Sequence, residues 1–309
     1  MFYYKLVDMR SINEILVKRA ISDSEFEEFE KHRIKLEEFY RSEELFFCLA
    51  RNYEDYQNAI IKYLSGYIKD SYLDYVLART IYMDLNRLIL NLLASARMFL
   101  DHTEYSLKGK YGKTSKEFND FKKMCSYKYD TNFSYRFLYR LRNFAQHCGM
   151  PVGRIQFSSF QDREEGSKSY EAEYSNLNLL SKHTLSIFFD RNKLLESFDG
   201  WGKNVKQELE SMGQDIEVTQ HIRSFVSSLS EIHCSLVDRL VKKVKASPDY
   251  LFDLAKPVLE KNEKAKPVIA ISPVRSERNW GNQKISFRYF PIDIMRYIRE
   301  ETYKKLHSR

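Results

Sequence analysis

The longest uninterrupted helical pattern in the chain covers residues 72–101, and it limits the fold more than any other feature. Apolar residues recur there at three- and four-residue steps, and neither glycine nor proline interrupts them. A helix of about thirty residues extends about 45 Å. The sequence therefore predicts a mainly α-helical protein in which this helix is the backbone of the core.

Polar side chains interrupt the apolar stripe of this helix at four positions. They are Asn86, Asn91, Ser95 and Arg97. Polar groups near a core need hydrogen-bond partners, unless they line an interface or a cleft. The pattern alone leaves both interpretations open.

The helical and strand-like patterns divide the 309 residues into three predicted segments. Residues 1–50 are highly charged and are predicted to form an amino-terminal helical extension. Residues 51–246 are predicted to form a helical core, and alternating residues indicate a small β-hairpin inserted at about 152–175. Residues 247–309 are predicted to form a short carboxy-terminal α+β extension.

Shorter elements are predicted within these segments. The hairpin strands are expected at residues 154–158 and 169–174. Further helices are expected at residues 177–180, 185–198, 205–212, 219–244 and 292–306. A final strand pair is expected at residues 267–271 and 284–290.

Composition and charge are compatible with nucleic-acid binding. The formal net charge is +7, and 22 Tyr and 21 Phe exclude a disordered basic tail. Ten Lys or Arg and only four Asp or Glu lie from His102 to Arg142, so most of the excess charge is local. Basic residues interleaved with aromatic rings can bind single-stranded RNA, whereas a solvated surface over a buried core gives the same composition.

The cysteines and the amino terminus exclude several classes of protein. The four cysteines lie far apart and form no C-x-x-C pair, which argues against a zinc knuckle or a disulfide-stapled scaffold. Residues 1–5 lack the apolar run of a signal peptide, and no stretch approaches the roughly 18 apolar residues of a membrane span. We expect a cytoplasmic protein with no membrane partner, no cofactor and no metal site.

One six-residue stretch, from Arg142 to His147, carries side chains suited to phosphodiester chemistry. An amphipathic helix leads into this stretch, and its first residue can be capped by Asp130, Thr131 or Asn132. We expect the buried stripe of this helix to consist of Phe133, Phe137, Leu138, Leu141, Ala145 and Cys148. Gly149 stands where a left-handed helix cap is expected, and Pro151 prevents continuation. This helix is therefore predicted to end at the motif.

The spacing within the motif suggests a role for each polar residue. Asn143 and His147 are four residues apart and share a helix face, so Asn143 can hydrogen-bond and orient the imidazole. Arg142 and His147 are about 140° apart around the helix axis, but a long arginine can still reach a phosphate near the histidine. Arginine binds phosphate as a permanently charged fork, and histidine transfers protons near neutral pH. The chemistry inferred is RNA cleavage by the RNA's own 2′-hydroxyl.

The segment before the motif supplies candidate RNA contacts. A basic connector is expected at residues 108–116. The candidate contacts to the RNA backbone are Lys108, Lys110, Lys113 and Arg140. Tyr135 and Tyr139 are candidate platforms on which bases could stack. Each ring could equally belong to the core.

Arg142-Asn143-x-x-x-His147 at a helix end resembles the motif of the HEPN superfamily, in which an arginine and a polar residue precede a histidine. The resemblance covers about residues 40–245. It implies a HEPN-like helical bundle acting as a homodimeric, metal-independent endoribonuclease in toxin or antiviral defence. Arg142 and His147 would carry the reaction, Asn143 would orient, the substrate would be tRNA or mRNA, and an antitoxin or defence protein could be a partner.

Two alternatives remain open at this point. A catalytically inactive HEPN-like module could bind RNA or a protein, since some members of the superfamily have lost catalysis. A structural protein could use the motif only to end a helix. In that second case Arg142 would be buried against carboxylates and His147 would be hidden from solvent.

Overall fold

In a computed structural model, the described residues form a mainly α-helical fold with two small antiparallel sheets. The residues it describes are 3–11, 14–70, 73–159, 183–259, 268–274 and 287–307. Contacts divide the chain into two compact units. The first unit combines residues 1–44 with residues 237–309, and the second unit is residues 45–236.

The elements among the described residues are as follows. The helices are α1 (Asp23–Asp70), α2 (Tyr75–Tyr111), α3 (Lys116–Thr131), α4 (Phe133–His147), α5 (Arg191–Ser197), α6 (Lys203–Glu210), α7 (Thr219–Val244), α8 (Ala246–Leu259) and α9 (Ile292–His307). The strands are β1 (Tyr3–Ser11), β2 (Glu14–Ile21), β3 (Val152–Ser159), β4 (His183–Asp190), β5 (Asp215–Glu217), β6 (Ile269–Val274) and β7 (Arg288–Tyr289).

The first unit is built on a sheet that joins both ends of the chain. Its strand order is β2-β1-β6-β7, and every pairing is antiparallel. Leu6 of β1 lies opposite Arg19 of β2 and Ile271 of β6, and it is fully buried. The helical prediction for residues 1–50 is therefore wrong over β1 and β2, and it is confirmed from Asp23 onward. β1 pairs on one side with β2, its neighbour in the sequence, and on the other with β6 from the far end of the sequence.

The carboxy-terminal strand pair is confirmed in part. β6 and β7 are paired, and the pairing is antiparallel, with Ile271 opposite Arg288. β7 covers only two of the residues predicted at 284–290, and residues 267 and 284–286 lie outside the described part of the chain. α9 begins at Ile292 as predicted and ends within one residue of the predicted end. Pairing of β6 with β1 was not predicted, because the sequence around each strand carries no signal of its partner.

The second unit contains the long helix that the sequence predicted. α2 is capped by the Asp74 side chain, which accepts a hydrogen bond from Leu77 N at 2.6 Å. The helix continues to Tyr111 and ends before Gly112, whose φ of 88° favours glycine. Lys108 and Lys110 therefore lie on α2 rather than in a connector.

The polar interruptions of α2 have different environments. Asn86 is fully buried, and its side chain accepts a hydrogen bond from Val152 N at 3.1 Å and donates one to Tyr82 O at 2.9 Å. Ser95 is buried and donates to Leu92 O at 3.0 Å. Asn91 is exposed. The buried amides and hydroxyls thus have the partners that burial demands.

The second sheet has the strand order β3-β4-β5, and it differs from two of the predictions. β3 was predicted, but it pairs with β4, while the predicted strand at 169–174 lies outside the described residues. Residues 183–190 form β4 although a helix was expected from residue 185, so that prediction is wrong there. Alternate β4 side chains are buried, and only the following seven residues, Arg191–Ser197, are helical.

Replacing Asn86 by alanine should destabilise the second unit. The change removes the acceptor of the buried Val152 N–H, and an unsatisfied buried donor costs about 1–3 kcal/mol. Asn91→Ala on the exposed side of the same helix is the matched control and should change stability by less than about 0.5 kcal/mol. Urea unfolding followed by circular dichroism measures both, and equal effects would contradict the role of Asn86.

Candidate functional site

The motif helix α4 begins and ends at recognisable signals. The Asn132 side chain caps it by accepting a hydrogen bond from Tyr135 N at 3.2 Å. At the other end Cys148 N donates to Phe144 O at 2.8 Å, and Gly149 has a φ of 126°. The predicted start and the predicted left-handed glycine after the helix are both confirmed.

One side of α4 packs into an aromatic core. The ring centroid of Trp201 lies 5.7 Å from that of Phe137 and 5.9 Å from that of Phe144. The buried α4 residues are Tyr135, Phe137, Leu138, Leu141 and Phe144. The predicted stripe is confirmed for Phe137, Leu138 and Leu141, whereas Phe133, Ala145 and Cys148 are only half-buried. This packing fixes the rotation of the helix and hence the direction in which its polar residues point.

The three predicted catalytic residues lie on the last turns of α4. Arg142 and Asn143 are half-buried, and His147 is exposed. The Arg142 Nη1 group donates a long hydrogen bond, 3.4 Å, to Asn143 Oδ1. No hydrogen bond joins Asn143 to His147, although both residues are described, so the orienting contact that we expected is not formed here.

Arg142 has an incompletely satisfied guanidinium group. Its Nε is buried and has no hydrogen-bond acceptor among the described residues. No described carboxylate forms an ion pair with it either. Buried polar atoms are normally hydrogen-bonded, so an exception calls for an explanation such as a catalytic role or a ligand.

Two neighbouring arginines, unlike Arg142, have an acceptor for the Nε group. Arg136 of α4 binds the Glu208 carboxylate, with Nε to Oε2 at 2.9 Å, and also donates to two backbone carbonyls. Arg140 donates from Nε to the Tyr129 hydroxyl at 3.0 Å. Neither feature expected of a structural motif is present, because Arg142 is not held by described carboxylates and His147 is not hidden.

The predicted RNA contacts fall into two groups. Lys108, Lys110 and Lys113 are exposed around the carboxy-terminal end of α2. Tyr139 is half-buried, its hydroxyl accepts a hydrogen bond from Arg97, and the Arg97 guanidinium carbon lies 4.8 Å from its ring centroid. One face of Tyr139 is therefore already occupied by a cation.

Tyr135 does not fit its predicted stacking role. Only 2% of the residue is exposed, and its ring packs 5.5 Å from that of Phe225 on α7. Burial also raises the pKa of its hydroxyl. A base cannot reach this ring in the described conformation, so the prediction for Tyr135 is wrong.

Two contacts near α4 were not predicted. Lys193 of α5 donates from Nζ to Met150 O at 3.1 Å, immediately beyond the motif. His221 of α7 shares a 2.8 Å hydrogen bond with Ser134 Oγ, at the start of α4. Lys193 and His221 are far from α4 in the sequence and reach it only in the folded chain. The spacing of residues in the sequence therefore could not predict these contacts.

The described residues contain no group of three or more His, Cys, Asp or Glu side chains able to hold a metal ion. Within the same residues, no helix combines the length and apolarity needed to cross a membrane. Comparisons of the chain with protein-family models, with curated proteins and with solved structures gave no match. The resemblance to the HEPN superfamily thus depends on the motif alone and stays a prediction.

His221 should make the stability of the second unit pH-dependent. Burial lowers its pKa below the ordinary value of 6.5, while Glu217 opposes the shift. The unfolded state then binds more protons below about pH 6.5, so stability is present above that pH and is lost as the pH falls. Unfolding free energies of wild type and His221→Gln, measured from about pH 7.5 to about pH 5, should converge at low pH.

The control for this comparison is the exposed histidine of α2, as His102→Gln. That variant should keep the wild-type profile. Burial lowers the pKa of His32 in the first unit as well, so His221→Gln should lose only part of the pH dependence. An unchanged profile for His221→Gln would contradict the assignment.

Proposed function

We propose that the protein is a metal-independent endoribonuclease of the HEPN type, with a HEPN-like helical bundle around α2 and α4. The observation that carries the proposal is Arg142, whose buried Nε has no described acceptor and which no described carboxylate neutralises. A guanidinium in this state can bind an external anion without first breaking an ion pair. RNA phosphate matches its planar, bidentate hydrogen-bond geometry.

The exposed imidazole of His147 supplies the proton transfer. In the proposed reaction the 2′-hydroxyl oxygen attacks the adjacent phosphorus and the bond from phosphorus to the 5′-oxygen breaks. His147 either removes the proton of the 2′-hydroxyl while water protonates the leaving 5′-oxygen, or protonates the 5′-oxygen while water accepts the 2′-hydroxyl proton. Arg142 stabilises the charge that develops on the non-bridging oxygens. The products are a 2′,3′-cyclic phosphate and a free 5′-hydroxyl.

The basic surface would hold the rest of the substrate. Lys108, Lys110 and Lys113 are exposed and can contact backbone phosphates, and Arg140 has a hydrogen bond to a neutral hydroxyl rather than to an acid. Tyr139 is half-buried and its ring also lies near those of Tyr129 and Tyr135, and it remains a candidate stacking residue. The proposed substrate is cellular RNA, such as tRNA or mRNA, cut by a cytoplasmic homodimer acting as a toxin or anti-phage effector that an antitoxin or defence protein could accompany.

Changing His147 to alanine should abolish cleavage of total RNA in the presence of EDTA. Arg142→Ala should lower the rate by about 100-fold or more, because removing one stabilising donor at developing charge costs about 2.7–4 kcal/mol. Gln146→Ala is the matched control, because Gln146 is an exposed neighbour on the same helix turn. Product ends should carry 2′,3′-cyclic phosphate, and cleavage that persists in His147→Ala would refute the assignment.

A second candidate is an RNA-binding module without catalysis. It is favoured by the absence, among described residues, of any hydrogen bond that orients the His147 imidazole. It predicts that wild type binds RNA without cutting it and that binding survives His147→Ala.

The salt dependence of RNA affinity tests whether the exposed lysines of α2 and the turn after it bind RNA, whether or not the protein cleaves it. Lysine contacts to phosphate release counterions, so RNA affinity should fall steeply as salt rises. The triple variant Lys108→Ala, Lys110→Ala and Lys113→Ala should reduce the slope of log affinity against log salt by about 2–3. An unchanged slope would place the RNA on another surface.

A further inference from the structure

Lys193, the third residue of α5, places a positive charge just beyond the motif. Its Nζ group donates a hydrogen bond to Met150 O at 3.1 Å. Met150 is the third residue after His147, so the Cα atoms of these two residues are at most about 11 Å apart. The Lys193 ammonium group therefore lies near the end of α4 that carries the imidazole.

The fold holds α5 against the segment that follows the motif. A Cβ atom at Gly153 would lie 3.0 Å from Asp190 N, so the two backbones approach closely there. Trp201 links α5 to α4, because its Nε1 donates to Leu194 O at 2.9 Å and its ring centroid lies 5.9 Å from that of Phe144. The start of α5 is thus held in place by packing, independently of its lysine.

No carboxylate among the described residues forms an ion pair with Lys193. The Asp190 carboxylate caps α5 instead, accepting from Lys193 N at 3.1 Å and from Gln214 Nε2 at 2.8 Å. Glu196, one turn later on α5, is exposed. The one described acceptor of the Lys193 ammonium is a neutral carbonyl, and lysine has three donors, so two donors remain for an external anion.

We propose that Lys193 binds the RNA phosphate next to the scissile one, so that the substrate is a strand with at least one phosphate beyond the bond that is cut. This inference rests on the proposed function and adds a residue from outside the motif. Arg142 precedes His147 by five residues, and the Lys193 ammonium contacts the chain three residues after it. The two cations flank the histidine along the chain, so a strand held by one at the scissile phosphate can reach the other with its next phosphate.

A purely structural Lys193 would only hold the turn after α4 through Met150 O. A neutral donor such as glutamine could then replace it, and every substrate would be affected alike. The hydrogen bond is exposed, however, so water can take its place. Attraction to phosphate depends on the positive charge, which arginine keeps and glutamine lacks.

RNA binding in a His147→Ala background tests the contact without cleavage. Adding Lys193→Ala should weaken binding of a single-stranded RNA of about six nucleotides by about tenfold. It should also reduce the slope of log affinity against log salt by about 0.7, because one phosphate contact is lost. Lys193→Arg should bind as the background protein does, and Lys193→Gln should bind as Lys193→Ala does.

Lys62→Ala is the matched control for the loss of one lysine charge. Lys62 is exposed on α1, and its Nζ lies 5.4 Å from the ring centroid of the adjacent Tyr63. This variant should keep the RNA affinity of the background protein.

A neutral linkage in the RNA locates the phosphate. Each phosphodiester is replaced in turn by an uncharged methylphosphonate, and the wild-type protein maps the position of the cut. Neutralising the linkage next to the cut should weaken binding to the background protein. The same replacement should have no further effect with Lys193→Ala, because both changes remove one contact.

Steady-state kinetics separate this role from catalysis. With His147 present, Lys193→Ala should raise KM for the same RNA about tenfold and leave kcat within about twofold. That pattern is expected of an interaction made equally in the ground state and the transition state. For a dinucleotide, whose only phosphate is the scissile one, kcat/KM should not change.

Three results would overturn the proposal. They are an RNA affinity unaffected by Lys193→Ala, full recovery with Lys193→Gln, and a loss of equal size at every linkage and for the dinucleotide. A lower kcat with unchanged KM would place Lys193 on the scissile phosphate and likewise reject it. If wild type binds RNA without cutting it, the ribonuclease proposal fails, while the binding measurements still decide whether Lys193 contacts a phosphate.

Discussion

Two asparagine side chains hold the motif helix at its two ends, and the placement of the candidate site depends on them. At the start, Asn132 caps α4 and donates to Ser224 and Ser228 of α7 at 3.0 and 3.1 Å. Beyond the end, the fully buried Asn86 of α2 accepts from Val152 N at 3.1 Å. A buried backbone donor must be satisfied. Asn86 therefore ties the chain to α2 directly after the turn that follows His147.

The parts of the fold that local signals determine were predictable. α7 has the bounds that its apolar spacing predicted, and α4 begins after Asn132 and ends at His147. The failures have a different cause. In β4 every second residue, Leu185, Ile187 and Phe189, is buried, as in a strand with one buried face. The positions of Leu185, Phe189, Leu194 and Leu195 also fit the spacing of a helix, which led to the helical prediction. The overlooked signal was Asp190, whose side chain caps α5 by accepting from Lys193 N at 3.1 Å.

The sequence predicted which residues form the candidate site, but not which side chains surround them. Sequence spacing identified Arg142 and His147, and the helix ends where the glycine indicated. Which arginine Nε is left without an acceptor depends on Glu208 and Tyr129, which belong to other helices and meet α4 only in the folded chain. The same limit explains Tyr135, because a tyrosine within a basic and aromatic segment gives no local sign of whether Phe225 covers it.

A continuous chain of polar contacts joins α2 to the motif helix. Asp101 of α2 accepts a hydrogen bond from Arg97 Nε at 2.7 Å, and Arg97 also donates to the Tyr139 hydroxyl on α4. Tyr139 lies three residues before Arg142, which is almost one helical turn. Arg97 is thus already paired with a carboxylate, whereas Arg142 has no carboxylate partner among the described residues. Of these two guanidinium groups, Arg142 is therefore the one that can bind an RNA phosphate without first losing an ion pair.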